Sequence, residues 1–423
     1  IMRSTPGKQN AISISPPEFS KPSGFYEEEF KLELSSKDNT VIYYTTDGSD
    51  PLDSKEAKIY KEPISIYDRS SEPNIYAEYD SSDPESPLSV TTSSFFMSQT
   101  FYKPKYLLDK AMIIRAATKT EDGFSDTIDK TYFITNEGLS KYLDITVISL
   151  VSSPKNLFDP DTGIYVVGND YIEWKNSDEA QGGFFFGFGT PRGNFNQKGK
   201  EWERQSSISI FENGKLTVEQ NVGIRTKGFS TRNNPGKGFN VIARKKYGKS
   251  RIESETLIPN NFDINGKQIK EYKSFSLRCI GFEDRISDVL GQDIIQNRTK
   301  MTTVNMKKSI LFLNGEYWGL YIINEHLTKE FISTNYNLPR KYVSLLKDNE
   351  VEEGPEEDTA NFIKYSNDTA KKDFKNNKMI EEVGKFIDLD SLVEHFVCGL
   401  FISILDWPNH NYGAWRYNGE EIE

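Results

Sequence analysis

The sequence predicts an α+β protein in which an all-β unit precedes a larger unit that turns from strand-rich to helical along its length. Three observations support this. Up to about residue 135, short runs of β-branched and aromatic residues alternate with clusters of Pro, Ser, Asp and Gly, the mark of strands joined by turns. From residue 143 the apolar runs remain strand-length, beginning with Leu143-Asp144-Ile145-Thr146-Val147-Ile148-Ser149-Leu150-Val151. In the last part of the chain the apolar spacing becomes helical, most clearly over residues 387–404.

The first unit is expected over residues 1–136 as a small β-sandwich. Residues 30–34, 40–45, 111–118 and 130–134 are its strands, and Glu121-Asp122-Gly123-Phe124-Ser125 is the turn between the last two. The Ser-rich residues 78–100 read as an exposed loop. A hinge at residues 136–141 leads into the second unit, residues 142–423. There, residues 207–211, 223–225, 239–244 and 275–278 have strand character. Residues 284–298 switch to a helical period, with Ile286, Val289, Leu290, Ile294 and Ile295 on one face. Residues 309–313 and 317–323 flank Asn314-Gly315, a dipeptide suited to a two-residue hairpin because both positions need positive φ. A helix is expected after His326. The acidic residues 348–358, which include Gly354-Pro355, are expected to form a solvated loop.

Composition narrows the function classes. The formal net charge of −11 opposes non-specific nucleic-acid binding, since a phosphate backbone would be repelled. Cys279 and Cys398 are isolated, which gives no disulfide framework or zinc spacing, and three histidines do not make a His-rich metal centre. No apolar run is long enough to cross a bilayer as a helix. The chain starts Ile1-Met2-Arg3-Ser4, without the apolar core of a signal peptide, and is expected to be a trimmed piece. The Gly- and Phe-rich residues 181–199 lack both phosphate-cradling glycine spacings and read as a flexible insert. Asp159-Pro160-Asp161-Thr162-Gly163 has no EF-hand spacing, so it reads as an Asp-capped turn. Paired-carboxylate glycoside hydrolysis and Ser-His-Asp catalysis have no supporting motif.

Two sets of residues carry resemblances. Tyr43-Tyr44-Thr45-Thr46-Asp47-Gly48-Ser49-Asp50-Pro51, with Ile114-Arg115-Ala116 and Tyr132-Phe133-Ile134, resembles the immunoglobulin-like module at the C-terminus of chitobiases and hexosaminidases. That module typically serves secreted and surface proteins as a spacer or accessory domain. In the second unit, the order of strands, helix, hairpin and helical half suits a two-lobed kinase-like fold. Its motifs are similar to those of the CotH-type protein-kinase-like family: Leu157-Phe158-Asp159-Pro160-x-x-Gly163-Ile164-Tyr165, Trp202-Glu203-Arg204, and Arg225-x-Lys227-Gly228-x-Ser230-x-Arg232 with Lys237-x-Phe239. Leu313-Asn314-Gly315-Glu316-Tyr317-Trp318-Gly319-Leu320-Tyr321 with Glu325 follows, then Asp406-Trp407-Pro408-x-x-Asn411-Tyr412 with Trp415-Arg416.

The resemblance implies an atypical serine kinase that uses ATP and magnesium. Asp406 and Asn411 have the separation at which kinases place the base that orients the acceptor hydroxyl and an amide ligand for magnesium. Pairs of this spacing also arise by chance, so the surrounding ordered motifs carry the assignment. Lys237 stands where a strand lysine neutralises the α- and β-phosphates, and Arg225 and Arg232 add to a phosphate-facing cluster. Gly319 to His326 would form the strand and hinge on which adenine stacks, with Glu325 as a polar anchor and Arg416 as a phosphate partner. The family's second Asp-bearing segment would follow the Trp415-Arg416 strand. The sequence stops at Glu423, so the kinase-like unit is expected to be truncated, with one metal carboxylate missing. The implied setting is the exterior or spore surface of a bacterium, with a secreted or spore-coat protein as substrate. The alternative is a non-catalytic surface scaffold that binds protein or polysaccharide.

Overall fold

The computed structural model describes residues 14–37, 40–78, 104–121, 123–135, 139–175, 177, 193–228, 230–279, 287–296, 298–299, 301–347, 350–372, 377–402 and 412–419. The chain divides into two units. One comprises 1–256, 276–282 and 308–323, and the other comprises 257–275, 283–307 and 324–423.

In the first unit, alternating apolar residues build a β-rich N-terminal module. Its elements are β1 (Glu18–Phe19), β2 (Gly24–Tyr26), β3 (Phe30–Leu32), β4 (Leu34–Ser35), β5 (Val41–Thr45), β6 (Lys58–Ile59), β7 (Ile64–Ile66), β8 (Met112–Thr120), β9 (Gly123–Phe124) and β10 (Ile128–Ile134). The main sheet runs β2-β10-β8-β5-β6, with β9 on β8; β1 pairs with β4, and β3 with β7. The residues Ile42, Met112, Ile114, Ala116, Tyr132 and Ile134 face one side of the main sheet. They meet Leu32, Leu34, Ile64 and Ile66 in a common core. The opposite side of β8 and β10 is also covered, which explains why the run Ala111 to Ala117 is nearly continuous in apolar residues.

What covers it is a closed barrel, most of whose residues belong to the same unit. Its strands are β11 (Val147–Val151), β12 (Arg204–Glu212), β13 (Lys215–Lys227), β14 (Gly238–Ile242), β17 (Ser274–Cys279), β18 (Met306–Leu313) and β19 (Glu316–Glu325). They run β11-β12-β13-β14-β17-β19-β18, and parallel pairing of β11 with β18 closes the ring. The short strands β15 (Ile252–Glu253) and β16 (Glu271–Tyr272) lie between β14 and β17 in sequence. Two hairpins use Asn-Gly turns, Asn213-Gly214 (φ 49° and 71°) and Asn314-Gly315 (φ 47° and 86°), the geometry that matches the twist of paired strands. A Cβ at position 315 would also approach the Ala111 carbonyl oxygen to 2.6 Å, so glycine is required there twice over. Module and barrel share one aromatic core. Phe133 of β10 stacks on Phe25 (centroids 4.4 Å apart) and meets Phe211 of β12 and Phe312 of β18 edge-on at 5.6 and 5.0 Å. The turn at Asp159 is Asp-capped as expected: Oδ1 accepts from the Asp161 and Thr162 amides (3.0 and 2.9 Å) and the Thr162 hydroxyl (2.9 Å).

In the second unit, the helix expected within 284–298 is described as Ser287–Ile295, with Leu290 exposed at 55% rather than packed. The helix expected after His326 is Lys329–Asn335, started by Thr328, whose hydroxyl accepts from Phe331 N at 3.2 Å. A sheet ordered β21-β20-β22 joins β20 (Val343–Lys347), β21 (Glu350–Glu353) and β22 (Gly413–Tyr417). Helices Glu356–Ala370, Asn377–Gly384 and Leu389–Phe401 complete the described residues. The acidic stretch is therefore not wholly a loop. Glu350–Glu353 is paired to β20, and Pro355 opens a helix whose first turn holds Glu356, Glu357 and Asp358, where negative charge complements the helix dipole. Fewer than half of the described elements are helices, so the molecule is α+β with a strong β excess.

Candidate functional site

Lys237 ends the turn that follows the 3-10 segment Ser230–Asn233 and immediately precedes β14. Its side chain is wholly buried. The ammonium donates to the carbonyl oxygens of Arg232 (3.0 Å) and Asn234 (2.8 Å). The rings of Phe195 and Tyr165 face it, with centroids 4.3 and 5.2 Å from Nζ. Among the described residues, no carboxylate takes part in this cage. Burial accordingly pulls the amine down to about 7, against a weaker opposing effect of the Cys279 thiol. Tyr165 organises the cage: its hydroxyl donates to the Pro235 carbonyl (2.8 Å) and accepts from Lys237 N (3.2 Å) and Trp318 Nε1 (3.1 Å). The Tyr321 hydroxyl donates to the Lys237 carbonyl at 2.9 Å.

Arg225 and Arg232 lie in the same part of the first unit and act on one short segment. Arg225 Nη1 donates to Gly199 O (3.3 Å); Arg232 Nη1 donates to Asn196 O (3.0 Å) and Gln197 O (3.1 Å). Thr226, beside Arg225 on β13, donates to Phe195 O at 2.8 Å. These side chains hold residues 195–199 against the barrel, and so hold the Phe195 ring over Lys237. The structure thus unites Lys237, Arg225 and Arg232.

Glu203, marked in the sequence only through the Trp202-Glu203-Arg204 motif and given no role there, is the centre of a neighbouring ionic cluster. The Glu203 carboxylate is fully buried and receives the Arg244 fork at 2.7 and 2.8 Å, the Tyr247 hydroxyl at 3.1 Å and the Lys246 ammonium at 3.3 Å. Burial alone would raise its pKa, but the Arg244 and Tyr247 hydrogen bonds with the Arg244 charge outweigh that and hold it below the usual value. Glycine at position 223 makes room, because a Cβ there would come within 2.8 Å of the Glu203 side chain. In the sequence Arg244 is only the last residue of the strand-like run 239–244, with no signal for a carboxylate partner.

In the second unit, Glu325 closes β19 and is 4% exposed. Oε1 accepts from Asn261 Nδ2 (2.8 Å) and Asn335 Nδ2 (3.3 Å), and Oε2 accepts from Asn305 N (3.1 Å) and Asn305 Nδ2 (3.4 Å). Burial raises its pKa and the amide donors only partly oppose this. Asn261 Oδ1 in turn accepts from Asn305 Nδ2 at 2.9 Å. Beside this hub a cavity of about 30 Å³ is lined by Ser274, His326, Thr328, Glu330 and Thr334, among others. Ser274 Oγ and His326 Nδ1, both from its lining, are hydrogen-bonded at 2.9 Å. Arg416 is exposed on β22, with its guanidinium 5.8 Å from the Phe386 ring. Asp406 and Asn411 lie outside the described residues. Among the described residues, no cluster of three or more His, Cys, Asp or Glu side chains is placed to hold a metal ion.

The motif-bearing hairpin and the Lys237 turn fall within a single match. Residues 224–422 match the family model described as CotH kinase protein. The CotH match takes in Arg225, Arg232, Lys237, the Asn314-Gly315 hairpin, Glu325, Asp406, Asn411 and Arg416, while the motifs at 157–165 and 202–204 precede it. Residues 21–86 match the model described as chitobiase/beta-hexosaminidase C-terminal domain, over the N-terminal β module. No curated protein matches the chain. No helix among the described residues is long and apolar enough to cross a membrane.

Proposed function

We propose that this protein transfers the terminal phosphoryl group of ATP, with magnesium, to serine hydroxyls of a secreted or spore-surface protein. The observation that carries the reading is the CotH kinase match over 224–422, which brackets Asp406-Trp407-Pro408-x-x-Asn411. In this reading the chain forms a two-lobed kinase-like domain over residues 142–423. Asp406 accepts the proton of the attacking hydroxyl as its oxygen bonds to the γ-phosphorus and the bond to ADP breaks. Magnesium, bound as a hard cation by oxygen donors such as the Asn411 amide, would neutralise charge on the phosphates. Arg225, Arg232, Arg416 and Glu325 are the proposed nucleotide contacts. Lys237 joins them if its ammonium leaves the Arg232 and Asn234 carbonyls, a rearrangement that nucleotide binding would have to drive.

The test is phosphate transfer from labelled ATP to a Ser-rich acceptor protein, together with thermal stabilisation by magnesium and ATP. Both are expected for this protein, and transfer is expected to vanish in Asp406→Ala. Absence of any nucleotide-dependent stabilisation overturns the reading.

The enclosed Lys237 amine favours a second reading, a non-catalytic scaffold at a cell or spore surface that binds protein or polysaccharide. Binding to such a partner that is unaffected by Asp406→Ala, with no phosphate transfer, would decide for it.

A further inference from the structure

We propose that Tyr76 and Glu316 are positioning residues through which the N-terminal β module holds the Lys237 cage in shape. The module is then a working part of the barrel and not a spacer tethered to it. This goes beyond the phosphotransfer reading and does not depend on it.

The connection begins at the tip of the β18–β19 hairpin. Glu316 follows the Asn314-Gly315 turn and is 4% exposed. Its carboxylate collects three successive backbone amides of the module, Ile75 N at 2.5 Å, Tyr76 N at 2.9 Å and Ala77 N at 2.9 Å. A carboxylate that gathers several amides is a strong, charge-assisted anchor. Backbone bonds on either side reinforce it, from Ala111 N to Gly315 O (2.8 Å) and from Tyr317 N to Asp109 O (2.9 Å).

This anchor fixes Tyr76. The Tyr76 hydroxyl donates to Asp47 O at 2.7 Å, in the Thr46-Asp47-Gly48-Ser49 turn of the module. Its ring lies on Phe158 at 5.3 Å with planes 13° apart, and Phe158 meets Tyr165 at 5.9 Å and 67°. Tyr165 in turn faces the Lys237 ammonium and bonds the Lys237 amide. Trp318, two residues beyond Glu316 on the same strand, bonds the Tyr165 hydroxyl as well. The hairpin therefore grips the module with Glu316 and the cage with Trp318, while Tyr76 and Phe158 fill the space between. Close-packed interiors transmit displacements, so loss of the Tyr76 ring or of the Glu316 acceptor should loosen Tyr165 and open Lys237.

The test is native-state acylation of Lys237 in the full chain from about pH 6 to about pH 9, followed by mass spectrometry. Amide hydrogen exchange over β8 and β10 serves as the control. Tyr76→Leu and Glu316→Gln are each expected to raise the labelling rate of Lys237 by about tenfold, with β8 and β10 still protected. Tyr76→Phe keeps the ring and loses only the bond to Asp47, so it is expected to stay near the wild-type rate. Unchanged labelling in both Tyr76→Leu and Glu316→Gln overturns the proposal. So does a rise that appears only with lost protection in β8 and β10, including outright failure to fold, because the contact would then serve general stability and not the cage.

Discussion

The ammonium of Lys237 lies 2.8 Å from the carbonyl oxygen of Asn234, in a pocket that leaves it no exposed surface and, among the described residues, no carboxylate. A positive charge held only by carbonyl dipoles and aromatic faces is costly to keep, which is why the amine falls to about 7.

This gives a pH signature. The folded pKa lies below the unfolded value of 10.5, so the unfolded chain binds the extra proton between the two. The contribution of Lys237 is most unfavourable below about 7 and is relieved as pH rises toward 10.5. Lys237→Met should be more stable than wild type near pH 6. It should also remove a slope approaching about 1.4 kcal/mol per pH unit above neutrality, read from urea midpoints. An unchanged slope would show that the amine is not the titrating group.

Glu203 behaves in the opposite sense. Its folded pKa is lowered, so its contribution is present above the ordinary carboxylate value of 4.5 and is lost as pH falls through the folded value. Glu203→Gln removes the charge that the Arg244 fork requires. It should cost about 3 kcal/mol at neutral pH and less in mild acid, measured by denaturant unfolding.

Among the described residues, Glu325 is held by amide donors and not by a cation. Glu325→Ala leaves the amides of Asn261, Asn305 and Asn335 without their acceptor and should cost about 2–4 kcal/mol. Thermal unfolding checks this, and a loss under about 0.5 kcal/mol would mean that water replaces the carboxylate.

Phe133 joins the module to the barrel. Truncating it to Ala should destabilise by about 3–5 kcal/mol, because it packs on Phe25, Phe211 and Phe312 together. Module and barrel should melt in one transition. Two separate transitions in calorimetry would show that the shared core does not couple them.

Much of the architecture was legible from local pattern. Asn314-Gly315 forms its hairpin because positive φ at both positions is a local demand that few other dipeptides meet. The same dipeptide at Asn213-Gly214 is a weaker signal, since the strands around it are broken by polar residues. Residues 350–353 were misread because a strand of Glu-Val-Glu-Glu lacks an apolar face and forms only when β20 supplies the pairing. The site residues divide in the same way. The sequence offers Lys237, Arg225, Arg232 and Glu325 as candidates, through motifs that resemble those of the CotH-type family. Tertiary structure alone decided their partners. The Phe195 and Tyr165 rings over Lys237, the Arg244 fork on Glu203 and the Asn261 and Asn305 amides on Glu325 come from distant parts of the sequence that the fold brings together. The physical reason is range. Turn conformation and apolar period are set within a few residues, whereas the desolvation and hydrogen bonding that decide a buried charge come from residues up to dozens of positions away.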